Sequence, residues 1–264
     1  MKPVKESDKP MILYKYLTVE KADEWLIGDD SILVTPPIYL NDILEFRVRR
    51  ESADIAEQRK HFDIFQKENP SPQLSFEKYF LHITSKEYVD SEAEYLRNGL
   101  SEKSGVVSLT SDPSNELMWA HYGLNSGVAI GYETEEAVES EGLRGRGLPL
   151  GLALEVTYDD SVIPMKKDFS DVALRLCTKR KCWAYENEWR ILSPLEGVKI
   201  KEHDGKKFYA LPALREQVAH VVFGANATKG FIERITAWLQ PNTPILQKLR
   251  IDPDTHNLVL SDIK

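Results

Sequence analysis

GVVSLTSDPSNELMWAHYGLNSGVAIGY, residues 105–132, is the stretch whose reading decides the fold. Gly105 to Ser111 alternates apolar with small polar residues, as a strand does. Asn115 is placed to cap a short helix that ends near Gly123, and Gly127 to Tyr132 is a second strand. Upstream, Ile12–Tyr16 is a short β-type run. Thr18 then caps a helix carrying Val19, Ala22, Trp25 and Leu26 at helical spacing, with Gly28 as its stop. Ser31–Thr35 reads as a strand closed by Pro36 and Pro37. Residues 43–100 read as charged helices broken around Pro70 and Pro72. Downstream, a glycine-rich loop at 142–151 leads to a strand at Ala153–Tyr158, a helix at Ser170–Ala184 and a strand at Glu188–Leu192. A strand at Val218–Phe223, a helix at Thr228–Leu239 and strands near Ile245 and Leu258 follow. The elements mix without regular βαβ alternation. The expected class is therefore α+β, with a mixed, largely antiparallel split sheet and a helical insertion at about 43–100. No long linker divides residues 1–264, so one domain is expected, with a loose tail at 1–10.

Composition narrows the function classes. The chain of 264 residues carries 42 acidic and 34 basic residues, a net charge of −8, which disfavours generic binding to a phosphate backbone. The densest basic patch, Lys179–Lys181, reads as the solvated end of a helix. Two cysteines cannot build a disulfide framework or a four-cysteine zinc site. Cys177 and Cys182, five apart on the expected helix, diverge by roughly 140° and make poor joint ligands. No metal is expected. No apolar run reaches a membrane span, and the N-terminus lacks the apolar core of a signal peptide, so a cytoplasmic protein with no membrane partner is expected. Phosphate-loop, dinucleotide-fold, zinc-protease and serine-hydrolase signatures are absent. The 142–151 loop, with Arg144 and Arg146, reads as a surface turn.

Three segments carry the chemistry. ELMWAHYG (116–123) packs Trp119, His121 and Tyr122 together, either as an aromatic core helix or as a pocket wall with a titratable imidazole. In CWAYENEWR (182–190), an extended chain would put Glu186, Glu188 and Arg190 on one face and Trp189 and Ile191 on the other. Two carboxylates and a guanidinium on one face suit either a polar cleft or a surface ion pair. In PPIYLNDILEF (36–46), Asn41 or Asp42 can cap a helix, and Glu45 follows one turn later.

With ILYKYL at 12–17, SGVAIGYE at 126–133, VTYDDSVIP at 156–164 and VAHVVFGANAT at 218–228, these segments resemble, in order, a bacterial domain-of-unknown-function family, number 2971. Its motif K…W.YE.EWR is matched by KRKCWAYENEWR, and its NDPFE by NDILE, where Ile43 and Leu44 replace Pro and Phe. The resemblance covers about residues 12–240. The layout is also distantly similar to NAD-dependent ADP-ribosyltransferase toxins. That likeness implies NAD as the nucleotide, a first-strand contact at Lys15 or Tyr16 in place of the usual His or Arg, an aromatic at Tyr39, and a catalytic glutamate at Glu188 or Glu186.

The expected site has Glu188, Glu186 and His121 as catalytic groups. Lys15, Tyr16, Tyr39, Asn41, Asp42, Glu45, Trp119, Tyr122 and Arg190 are expected to bind substrate. His121 should lie within one water of Glu186, Glu188 or Asp42, and Lys15 and Glu188 should face one cleft. The expected function is NAD-dependent ADP-ribosyl transfer to a protein or nucleic-acid acceptor in a toxin or phage-defence setting, with no antitoxin or defence partner readable from the chain. The alternative is a non-catalytic module that senses a nucleotide or a phage protein.

Overall fold

The computed structural model describes residues 10–42, 45, 49–50, 54–69, 74–134, 153–161, 164–165, 172–203 and 206–263. The chain opens with strand β1 (Ile12–Leu17) and helix α1 (Val19–Lys21), which Thr18 caps and which runs on as a π-helical segment, Ala22–Ile27. Strand β2 (Ser31–Val34) follows, then helices α2 (Ile55–Glu68), α3 (Phe76–Ile83) and α4 (Lys86–Lys103) of the helical insertion. Each of the three has a side-chain cap, from Asp54, Ser75 and Ser85. Next come β3 (Ser104–Thr110), helix α5 (Glu116–Met118) with its π-helical continuation Trp119–Gly123, β4 (Val128–Glu133) and β5 (Leu154–Glu155). Helix α6 (Val172–Leu176) precedes β6 (Glu188–Pro194) and the hairpin β7 (Lys199–His203) and β8 (Lys206–Pro212). Strand β9 (Val218–Phe223), helix α7 (Lys229–Leu239), β10 (Ile245–Ile251) and β11 (Leu258–Asp262) complete the described chain.

The main sheet has the order β11-β10-β9-β4-β1-β3-β6-β5, and its pairs are antiparallel except β9 with β10. The α+β class with a split, mainly antiparallel sheet is observed. The split lies between β1 and β3. β1 pairs with β4 along its whole length, from Ile12↔Glu133 to Leu17↔Val128, and β6 pairs with β3 from Glu188↔Thr110 to Pro194↔Ser104. β1 and β3, by contrast, meet at Tyr14↔Thr110 alone and then diverge. A second sheet, β7-β8-β2, packs alongside.

Side-chain alternation along β1 feeds two cores. Leu13 and Leu17 join the larger one with Val107, Leu109, Ile130, Trp189, Ile191 and Phe231. Tyr14 and Tyr16 join a smaller one with Trp119, Ala129, Val222 and Leu249. The second core explains Gly131, where an added Cβ would sit 2.6 Å from the Tyr14 ring. Gly131→Ala should therefore lower stability by about 1–3 kcal/mol through overpacking. Equilibrium urea unfolding measures it, and an unchanged midpoint contradicts the close contact.

Two expectations need correction, and one hairpin stands where none is expected. The helix expected at 170–184 is instead α6, a two-residue strand Thr178–Lys179 paired with Thr157–Tyr158, and a 3₁₀ turn Lys181–Glu186. The break follows from Lys179, whose ammonium turns inward to buried carboxylates. The strand expected at 153–158 divides, with Leu154–Glu155 joining β6 and Thr157–Tyr158 pairing elsewhere. The β7–β8 hairpin stands where the sequence gives no expected element; β7, KIKEH, offers Ile200 as its one apolar residue, which leaves the FYAL run of β8 without a readable partner. Residues 1–9 of the expected tail and the 142–151 loop lie outside the described residues. Among the described residues, no helix is long and apolar enough to cross a membrane.

Candidate functional site

β6 alternates as expected. Trp189 and Ile191 enter the larger core, while Glu188 and Arg190 share the opposite face. Glu186 is not on that strand. It ends the 3₁₀ turn, and Asn187, at φ 43°, reverses the chain so that the Glu186 carboxylate still reaches the same place. The Arg190 guanidinium forks onto Glu188, with Nε donating to Oε1 at 2.8 Å and Nη2 to Oε2 at 2.9 Å. Its Nη1 donates to the Leu176 carbonyl at 2.7 Å, and Nη2 also forms an ion pair with Glu45. Lys179 Nζ donates to Glu186 Oε2 at 2.5 Å and to Glu188 Oε2 at 3.1 Å. The result is a buried cluster of three carboxylates and two cations.

The charges set distinct proton affinities. Burial opposes ionisation of Glu188, but Arg190 and Lys179 override it and hold its pKa down to about 2. Burial and the neighbouring Glu188 charge raise Glu186, against the pull of Lys179. Glu45 is raised by burial despite Arg190 and Lys179. Lys15 lies where β1 and β3 diverge, its Nζ donating to the Ser108 carbonyl at 3.0 Å. Burial first, and Lys21 second, lower its pKa to about 8.

The cluster opens through Tyr122. Its hydroxyl donates to Glu186 Oε1 at 2.6 Å and accepts from Asn41 Nδ2 at 3.2 Å. The ELMWAHYG helix and the WAYENEWR segment thus meet, and Asn115 adds a second tie by donating to the Tyr185 carbonyl at 2.7 Å. Removing the hydroxyl leaves a buried carboxylate oxygen short of a donor. Tyr122→Phe should cost about 1–3 kcal/mol, visible as a fall of several degrees in Tm, whereas an unmoved Tm would mean the bond is not formed.

A cavity of about 220 Å³ lies over the split and is bordered by Lys15, Tyr16, Tyr39, Asn41, Glu45, Tyr122, Glu186, Glu188 and Arg190. Lys15 and Glu188 therefore border one cleft, as expected. Three expected residues do not border it. Trp119 is fully buried in the smaller core, edge-on to Tyr16, with its Nε1 donating to the Pro113 carbonyl. His121 is exposed on the outer side of the helix, near the Tyr122 and Tyr185 rings, so the hydrogen bond to Glu186 comes from Tyr122. Asp42 is buried, but it accepts from Arg180 Nε at 3.1 Å behind the cleft wall. Its carbonyl accepts from Glu45 N, and residues 43–44 and 46–48 of the expected helix start lie outside the described residues.

Lys179 is the residue the sequence reading missed. Its place in a basic run reads as a solvated helix end, yet it is buried between two glutamates and under the Trp183 ring. The signal was available, since Lys179 opens the K…W.YE.EWR motif. Cys177 is buried and Cys182 exposed, which separates the two thiols.

Lys15 gives a pH test. Its folded pKa of about 8 lies below the ordinary 10.5, so between those values the folded state binds fewer protons than the unfolded chain. The charge costs stability below about pH 8, and the cost fades as pH rises toward 10.5. Lys15→Met should raise Tm at pH 7 and lose that gain as pH rises toward 10; a difference that stays constant across that range contradicts the burial of the ammonium.

The model of the family described as "Protein of unknown function (DUF2971)" matches residues 118–191. Over those residues the chain is similar to that family. The segment begins on α5 and ends on β6, so it spans Tyr122, Lys179, Glu186, Glu188 and Arg190 and leaves β1 and Asn41–Glu45 outside. No curated protein and no solved structure matches the chain.

Proposed function

We propose that the cleft binds NAD as a substrate and transfers its ADP-ribose to an acceptor. The observation that carries this reading is the position of the carboxylate cluster. It lies at the point where β1 and β3 part, in a cleft bordered by four tyrosines and by Lys15. A nicotinamide riboside suits such a place, with the ring against Tyr122 and the ribose toward the acids.

In the transfer, the bond between ribose C1′ and the nicotinamide nitrogen breaks, and its electron pair leaves with nicotinamide. Positive charge develops on the ribose and is stabilised by fixed negative charge nearby. Glu186 is the reacting group in this reading. It is the member of the cluster tied to the cleft surface through Tyr122 and Asn41, and its raised pKa makes it a better proton acceptor than Glu188. It takes the proton that the acceptor's nucleophilic oxygen or nitrogen loses on attacking C1′. Glu188, with both oxygens held by Arg190, is a positioning residue that fixes Lys179 and so orients Glu186. A toxin or phage-defence setting, with a protein or nucleic-acid acceptor, fits this chemistry.

The saturation of Glu188 also favours a second reading, a module that binds a nucleotide without turning it over. One experiment separates them. The purified chain is incubated with adenylate-labelled NAD and cell lysate, and free nicotinamide and labelled macromolecules are quantified. Transfer predicts both. NAD binding by calorimetry without either product selects the sensing module, and no binding removes NAD from both readings.

A further inference from the structure

A second cavity, of about 450 Å³, adjoins the first and shares Lys21, Leu33, Thr35 and Tyr39 with it. Its far wall is aromatic, with Trp25 and Phe208 packed at 5.5 Å between centroids and tilted by 44°. Lys201 stands over one face of Trp25, at 5.2 Å, which leaves Phe208 and the exposed Tyr39 as surfaces for another ring.

Cations collect around this cavity although the chain carries a net −8. Lys21 and Lys207 line it and are exposed, and among the described residues neither ammonium has an ion-pair partner. Lys199 and Lys201 of the same hairpin instead share the Asp29 carboxylate, at 2.8 and 2.7 Å. Glu24 also borders the cavity, and Glu202 stands opposite Lys207 in the hairpin register. At the junction of the two cavities Lys21 lies near enough to Lys15 for their charges to oppose each other. An anion set between these ammonium groups would relieve that repulsion, and two negative oxygens would do so better than one.

We propose that the second cavity is a subsite for a heteroaromatic base, with Lys21 at the junction holding a pyrophosphate. The site then selects a nucleotide with a base on Phe208 and Tyr39, a diphosphate at Lys21, and its second ribose reaching the carboxylates of the first cavity. This deepens the NAD reading and rests on it for the identity of the second ribose, but the base and diphosphate subsite stands on its own lining. A mononucleotide fills one half only, so the arrangement favours dinucleotides and ADP-ribose over AMP or nicotinamide mononucleotide.

The test is calorimetric titration of the full chain with ADP-ribose, AMP and adenosine, compared with Lys21→Ala, Lys207→Ala and Phe208→Ala. Lys21 and Lys207 are exposed, so those variants should fold, and circular dichroism checks it. The wild type should bind ADP-ribose at least about tenfold more tightly than adenosine, with affinity falling as salt rises. Lys21→Ala should weaken ADP-ribose about tenfold and leave adenosine unchanged, while Phe208→Ala should weaken both ligands alike. Lys207→Ala should weaken ADP-ribose by a smaller factor. No ADP-ribose binding by the wild type overturns the proposal, as does binding that the Lys21 and Phe208 variants leave unchanged. The two readings fail separately. ADP-ribose binding with this pattern but no nicotinamide release from NAD removes the transferase chemistry and keeps the subsite. Nicotinamide release whose KM for NAD is unchanged in both variants keeps the chemistry and removes the subsite.

Discussion

Arg190→Met is expected to be the most destabilising single substitution in the cleft, costing about 3–5 kcal/mol and lowering Tm by roughly 10 °C or more. Arg190 is 0% exposed, and its guanidinium serves Glu188, Glu45 and the Leu176 carbonyl together. Without it, Lys179 alone faces three buried carboxylates. Methionine fills much of the volume, so the loss comes from uncompensated charge rather than from a cavity. Arg190→Lys restores a charge but not the fork, and it should recover only part of the loss. Replacing both partners, Arg190→Met with Glu188→Leu, should be milder than Arg190→Met alone, because the stranded carboxylate is removed as well. Thermal and urea unfolding of the four proteins measure this. A Tm for Arg190→Met within about 2 °C of the parent would mean that the cluster is hydrated and that its charges are not buried.

Much of this architecture was legible because β-sheet alternation has a short period and leaves a strong local trace. Trp189 and Ile191 against Glu188 and Arg190 could be assigned to faces from four residues, and the strand–helix–strand stretch at 105–132 folds as its caps and alternation indicate. Illegible were features decided by distant partners. Lys179 looks like an exposed lysine in a basic run, and only the approach of Glu186 and Glu188 makes burial of its ammonium tolerable. His121 and Tyr122 are adjacent and equally plausible as polar tips, and the rotation of a π-helical turn sends one outward and the other to Glu186. Trp119 has the same composition signal as a cleft aromatic, but the opposite face of its turn packs on Tyr16. The β7–β8 hairpin hid a wall of the second cavity for the same reason: Phe208, its ring at that cavity, acquires meaning only beside Trp25.

Glu186→Gln and Glu188→Gln should separate chemistry from support. The likeness to ADP-ribosyltransferases implies Glu188 first and Glu186 second as the catalytic carboxylate, and leads one to expect Glu188→Gln to stay folded and lose function. Under the transfer reading, the saturation of Glu188 by Arg190 and the tie of Glu186 to Tyr122 favour Glu186 for that role. At position 186 a glutamine keeps its oxygen for Lys179 and turns its amide to the Tyr122 hydroxyl, which can accept, and Lys179 keeps its bond to Glu188 at 3.1 Å. Stability should change by no more than about 1–2 kcal/mol, while nicotinamide release should fall on the order of 10²–10³-fold, the range for loss of one preorganised electrostatic group. At position 188 a glutamine amide points two N–H donors into a fork of donors from Arg190 and Lys179. Glu188→Gln should therefore lose stability first, by about 2–4 kcal/mol, and its residual activity should track the folded fraction. Acid unfolding gives an independent sign. Glu188, depressed to about 2 from the ordinary 4.5, contributes stability that is present above the unfolded value and lost as pH falls toward 2. Glu188→Gln should flatten that acid limb, and Glu186→Gln, whose carboxyl is raised rather than depressed, should not. If Glu188→Gln instead remains as stable as the parent and loses all nicotinamide release while Glu186→Gln keeps it, Glu188 is the reacting carboxylate, and the bidentate hold of Arg190 must then open when substrate enters.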